Sequence, residues 1–116
     1  MRVIIAGSRS ITDQATVDAA VEASGFLITE VVSGTARGVD RLGEAWAQAR
    51  SIPIVRFPAD WDKYARAAGP IRNRQMAEYG EALIVVMVPK SRGSLNMVQT
   101  MKKFGKPSSV VIIEES

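Results

Sequence analysis

Ser33-Gly34-Thr35-Ala36-Arg37-Gly38-Val39-Asp40 joins two segments of different period. Before it, Glu30-Val31-Val32 reads as the end of a buried strand. After it, Val39, Leu42, Trp46 and Ala49 recur at helical spacing, so a helix begins near Gly38. A strand that turns on glycines straight into a helix leaves backbone N–H groups at the positive end of the helix dipole, an arrangement suited to an anion such as phosphate. Gly34 and Gly38 permit φ > 0 and a close approach to the backbone, while Thr35 and Arg37 add a hydroxyl and a fork of donors. The plainer alternative is a tight turn with a surface arginine. The stretch is not a dinucleotide fingerprint, because G-x-G-x-x-G is absent, nor a P-loop, because no G-K-[ST] follows.

Outward from this turn, the same grammar repeats. Arg2 to Ala6 is a β-branched first strand ending in Gly7-Ser8-Arg9-Ser10; Thr12 is placed as the cap of a helix striped by Val17, Ala20, Val21 and Ser24 and closed by Gly25. Ile28 to Val32 is a second strand and the central helix runs to about Ser51. Pro53 to Phe57 is a third strand, followed by the polar, aromatic segment Pro58 to Tyr64. Gly69-Pro70 opens a helix that Gly80 stops. Ala82 to Val88 is the most apolar strand. Pro89-Lys90-Ser91-Arg92-Gly93-Ser94 is a further glycine-bearing turn, with Ser94 placed as the cap of a helix striped by Met97, Val98, Met101 and Phe104. Val110 to Ile113 is a last strand, and the acidic end reads as frayed. Strands alternating with helices predict one α/β domain over residues 1–116: a Rossmann-like three-layer α/β/α arrangement around a five-stranded, mainly parallel sheet of order 3-2-1-4-5.

Composition narrows the chemistry. The chain has 116 residues, 47% of them hydrophobic, which suits a globular fold. No apolar run approaches the roughly 20 residues that span a bilayer, and the first strand starts at once, so a cytoplasmic protein without a membrane partner is expected. Cys and His are both absent, which removes disulfides, thiolate nucleophiles, imidazole bases and the usual zinc ligands. No carboxylate spacing supports a metal, and no cofactor is expected beyond a nucleotide ligand. Net charge is only +3, so distribution matters more than sum.

In a parallel sheet the loops leaving the C-terminal strand ends open on one edge, where ligands bind. Arg9, Arg37 and Arg92 fall in such loops, and Arg72 and Arg74 in the first turns of the helix after the third strand. Clustered arginines without matched acids repel one another, whereas an anion with several phosphate oxygens holds them together. Pairing of Arg72 or Arg74 with Asp40, Asp60 or Glu78 is the structural alternative. Trp61 suits stacking on a base or covering the sheet edge, and Asp60 can accept from a ribose hydroxyl. The candidate ligand-binding set is Gly7, Ser8, Arg9, Ser33, Gly34, Thr35, Arg37, Gly38, Asp60, Trp61, Arg72, Asn73, Arg92, Gly93 and Ser94.

Gly7-Ser8-Arg9, Ser33 to Asp40, Pro58-Ala59-Asp60-Trp61, Gly69-Pro70-Ile71-Arg72-Asn73-Arg74-Gln75-Met76 and Ser91-Arg92-Gly93-Ser94 with Asn96-Met97 occur in this order. Together they resemble the family named after YspA, long described as a domain of unknown function. Its superfamily, SLOG, also holds the Lonely Guy phosphoribohydrolases and the DNA-processing protein DprA. The resemblance implies a Rossmann-like sheet that binds nucleotides or their derivatives. Some SLOG domains sense ADP-ribose-type signals in antiphage systems, and relatives often dimerise. Lonely Guy enzymes carry G-G-x-G-T-x-x-E; aligned on Gly93-Ser94, the glutamate position falls on Met97, which cannot act as a base. The chain therefore reads as a binder first, of ADP-ribose, a nucleoside phosphate or a cyclic relative. A nucleoside-monophosphate N-glycosidase using Glu78 or Asp60 comes second. DprA-like binding of single-stranded DNA comes last, because the basic residues sit in turns rather than along a groove.

Overall fold

The computed structural model describes residues 1–114; Glu115 and Ser116, part of the acidic end expected to fray, lie outside the described residues. Five strands form one parallel sheet of order β3-β2-β1-β4-β5: β1 (Arg2–Gly7), β2 (Glu30–Ser33), β3 (Ile54–Arg56), β4 (Ala82–Met87) and β5 (Ser108–Ile112). The chain thus has the Rossmann-like α/β fold and the strand order expected. The middle of the sheet explains its uninterrupted apolar runs. Val3 and Ile5 of β1, with Ala82, Ile84 and Val86 of β4, face the helices α1 (Gln14–Ser24) and α2 (Val39–Ala49). Ile4, Ala6, Leu83, Val85 and Met87 face α4 (Ala68–Tyr79) and α5 (Arg92–Lys103). All six residues of β4 are buried, as parallel strands covered on both faces require.

The helix boundaries differ in small, explicable ways. Asp13, not Thr12, is the N-cap residue of α1, and Gly25 closes it in the left-handed region. Ala49 is exposed; the buried stripe of α2 is Val39, Gly43, Trp46 and Ala47, because Gly43 lets the helix sit directly on Ile5. Trp61–Tyr64 forms a short helix, α3, capped by the Asp60 carboxylate, and a 3₁₀ turn over Ala65–Ala67 leads into α4. Ser91, not Ser94, precedes α5, so Ser94 lies inside its first turn and Met97 in its second. Phe104 ends that helix exposed rather than in the core stripe.

β1 leads outward through α1 to β2, while β4 leads the other way through α5 to β5. The sheet order therefore reverses between β1 and β4, the place where an open α/β sheet leaves a crevice.

Candidate functional site

A cleft of about 590 Å³ occupies that crevice. Its walls come from the β1–α1 turn (Gly7, Ser8, Arg9), the start of α4 with Trp61 beside it, and the β4–α5 turn with the first turns of α5. Gly7 has no room for a side chain: a Cβ would overlap the Val86 carbonyl and Val39. Ser8 pins the turn to β4, its N–H donating to the Val86 carbonyl at 3.1 Å and its Oγ accepting from the Val88 N–H at 2.9 Å.

The Ser33–Asp40 turn is built differently from a free anion cradle. Gly38 takes φ 76° and packs against the Ser8 carbonyl, which accepts the Val39 N–H at 3.3 Å. The Ser33 hydroxyl donates to Glu44 at 2.6 Å and accepts the Thr35 N–H. The Asp40 carboxylate accepts the Ala36 N–H at 3.1 Å. The Thr35, Ala36 and Val39 N–H groups are thus used by the chain itself, and Asp40 is the anion in the turn. Thr35, at φ 66°, is a β-branched residue in the left-handed region, a strain held by these bonds.

Asp40 is nonetheless part of the cleft. It is 4% exposed, and burial pushes its carboxyl up from 3.8 to about 6, against the Ala36 N–H and the Arg72 guanidinium, which lower it. Burial also lowers the pKa of Arg72, with Asp40 opposing that effect and Arg9 adding to it. Arg72 donates from Nη1 to the Gly34 carbonyl and from Nε to Asn73 Oδ1. A Cβ on Gly34 would stand 2.5 Å from Arg72 Nη1 and 2.8 Å from Asp40 Oδ2. Glycine there is what lets the two groups flank the turn. Asn73 is spent on structure, its amide donating to Asn96 Oδ1 at 2.9 Å and to the Gly93 carbonyl, which ties α4 to α5.

The β4–α5 turn lines the cleft directly. The first hydrogen bond within α5 runs from the Leu95 N–H to the Ser91 carbonyl. Among the described residues the N–H groups of Arg92, Gly93 and Ser94 have no protein acceptor, and nothing lies within 4 Å of a Cβ built on Gly93. Ser91 Oγ and Ser94 Oγ are 2.7 Å apart. Around this helix end the cleft gathers Arg9, Arg66, Arg72, Lys90 and Arg92 against the single acid Asp40.

Of the sequence candidates, the cleft brings together Gly7, Ser8, Arg9, Trp61, Arg72, Asn73, Arg92, Gly93 and Ser94. Ser33, Gly34, Thr35, Arg37, Gly38 and Asp60 do not line it; Arg37 is exposed outside it, and Asp60 caps α3 by accepting the Lys63 N–H. Glu78 lies outside the cleft, paired with Arg74 at 3.4 Å. Arg66, Lys90 and Asp40 lay outside the sequence-derived set. Arg66 gave no signal, because it lies in the 3₁₀ turn over Ala65–Ala67, which hydrophobic periodicity does not register. Asp40 was legible as the last residue of the quoted stretch, but its burial was not. Met97 forms part of the cleft floor at 1% exposure, packed with Ile4, Ala6 and Met76.

Comparison with known proteins gives three findings. The model of the YspA, cpYpsA-related SLOG family matches residues 1–64. The Gene 61 protein of Mycobacterium phage D29 is 30% identical, over 91% of this chain and 92% of that protein. The X-ray structure of DNA processing protein A (DprA) from Streptococcus pneumoniae superposes with a TM-score of 0.74 over 99% of this chain at 20% identity, a likeness of fold. This chain spans half the length of that one.

Proposed function

This chain belongs to the YspA, cpYpsA-related SLOG family, and on that footing we propose that its cleft binds a nucleotide or nucleotide-derived molecule, to sense or sequester it in the cytoplasm. The observation that carries the reading is the excess of cations over acids around one open helix end: Arg9, Arg66, Arg72, Lys90 and Arg92 against Asp40. A phosphate on the Arg92, Gly93 and Ser94 amides would satisfy three donors at the positive end of α5, with arginine forks closing on the remaining oxygens. Trp61, half exposed on the rim, offers a face on which a base can stack. Asp40, deeper in, accepts a ribose hydroxyl or an exocyclic amine. A volume of about 590 Å³ suits a mononucleotide or dinucleotide fragment rather than a groove for a polymer.

Chemistry on the glycosidic bond finds little support. Met97 gives the floor a thioether, and Glu78 and Asp60 stand outside the cleft. Thermal unfolding with AMP, ADP, ADP-ribose and single-stranded DNA, at matched ionic strength, tests the proposal. Ligand at 100 times its Kd adds about 2.7 kcal/mol of stability. Stabilisation by one of the mononucleotides or ADP-ribose, with AMP recovered intact after long incubation, is the expected result. Release of free adenine would replace binding with hydrolysis. Stabilisation by DNA alone, falling steeply with salt, would replace it with polymer binding.

A further inference from the structure

A chain of hydrogen bonds runs from α4 to α5 beside the cleft, and the group at its head fixes its direction. A guanidinium can only donate, and Arg72 Nε donates to Asn73 Oδ1 at 3.0 Å. The oxygen of the Asn73 amide therefore faces Arg72, and its NH2 faces α5. Both hydrogens are used there, on the Gly93 carbonyl at 3.3 Å and on Asn96 Oδ1 at 2.9 Å. Asn96 in turn must present its oxygen to Asn73, because the reversed amide would set two NH2 groups against each other. The polarity of the whole chain thus descends from Arg72. What remains at its far end is the Asn96 NH2, which has no protein acceptor among the described residues.

That leftover donor stands in a telling place. Asn96 is half-buried and lines the cleft. It follows Gly93 by three residues and Arg92 by four, so it shares their face of α5. Helical side chains lean toward the N-terminus, which brings this one back along the helix to the Arg92, Gly93 and Ser94 amides. We propose that Asn96 is a ligand-binding residue whose NH2 donates to an oxyanion at the start of α5, and that Asn73 is the positioning residue that aims it. The inference rests on the reading of that helix end as the phosphate site. With its oxygen engaged by Asn73, Asn96 offers the ligand a donor, and so selects an acceptor. Beside Arg72 and Arg92, that acceptor is an anionic oxygen rather than a neutral one.

Two substitutions separate a ligand donor from a structural amide. Asn96→Asp keeps the acceptor that Asn73 uses but puts an oxygen where the NH2 was, whereas Asn96→Ala removes both. A structural role makes the aspartate the milder change; a ligand role makes it the harsher. Calorimetric titration with AMP should show about a tenfold loss for Asn96→Ala, and on the order of a hundredfold for Asn96→Asp, whose charge repels phosphate. Asn73→Ala should also weaken AMP binding, and by a smaller factor once Asn96 is already alanine. NMR of the unmodified protein gives a second reading. The side-chain NH2 resonances missing from the Asn96→Ala spectrum should shift with AMP and saturate together with the Arg92–Ser94 amides. An Asn96→Asp variant that binds AMP as well as Asn96→Ala does, or an Asn96 NH2 that stays in place while those amides move, would overturn this inference and leave the phosphate site standing. If AMP moves none of the α5 amides, the phosphate site itself falls, and the inference with it.

Discussion

Asp40 and Arg37 show how far single residues can depart from what their positions in a motif promise. Asp40 ends the quoted stretch and sits in the first turn of α2, where a carboxylate is ordinarily a surface group suited to the dipole. Buried instead, its carboxyl is raised from 3.8 to about 6. A raised carboxyl favours folding while protonated. Its contribution is therefore complete below pH 3.8 and is lost as pH rises through about 6. The loss amounts to at most about 3 kcal/mol. A neutral amide has no proton to lose, so the stability of Asp40→Asn relative to wild type should climb by that order between pH 4 and pH 7. Urea unfolding across this range measures it, and a difference independent of pH would mean that Asp40 titrates normally. Arg37 departs in the other direction. Its place between two glycines suggested a ligand contact, but it lies outside the cleft, whereas Arg92 lines it. Arg92→Ala should weaken nucleotide binding about tenfold, the loss of one charge-assisted hydrogen bond. Arg37→Ala should leave it unchanged, and calorimetric titration of both variants distinguishes them.

At the scale of elements, strand and helix order were legible because periodicity is a property of many residues at once. The all-apolar Ala82–Met87 run specified a strand covered on both faces, and the Met97, Met101 spacing specified the buried stripe of α5. Turns were less legible because their outcome depends on a few hydrogen bonds. Two amides of the Ser33–Asp40 turn, those of Ala36 and Val39, are taken by the Asp40 carboxylate and the Ser8 carbonyl, neither of which leaves a pattern in the sequence. The glycines of these turns accordingly differ in role. Gly38→Ala should cost about 1–3 kcal/mol, since φ 76° is strained for alanine and its Cβ meets the Ser8 carbonyl. Gly93→Ala meets open space inside a helix and should raise stability by up to about 1 kcal/mol. Standing beside the open amides, the new methyl should weaken phosphate binding at the same time. Opposite signs for stability and affinity in this one variant are the expected outcome of paired unfolding and titration experiments.

For the molecule as a whole, the sheet order places β1 and β4 side by side with their connections leaving in opposite directions, and the functional reading follows from that crevice. The central claim is that phosphate is held by the first turn of α5 and not by the glycine turn that the sequence made most conspicuous. Backbone amide NMR during titration with AMP reads both places in one experiment. The account predicts that the Arg92, Gly93 and Ser94 resonances move together and saturate with a common affinity, while Val39, bonded to the Ser8 carbonyl, stays in place. Saturable shifts confined to Thr35–Asp40, with the α5 amides unmoved, would contradict it.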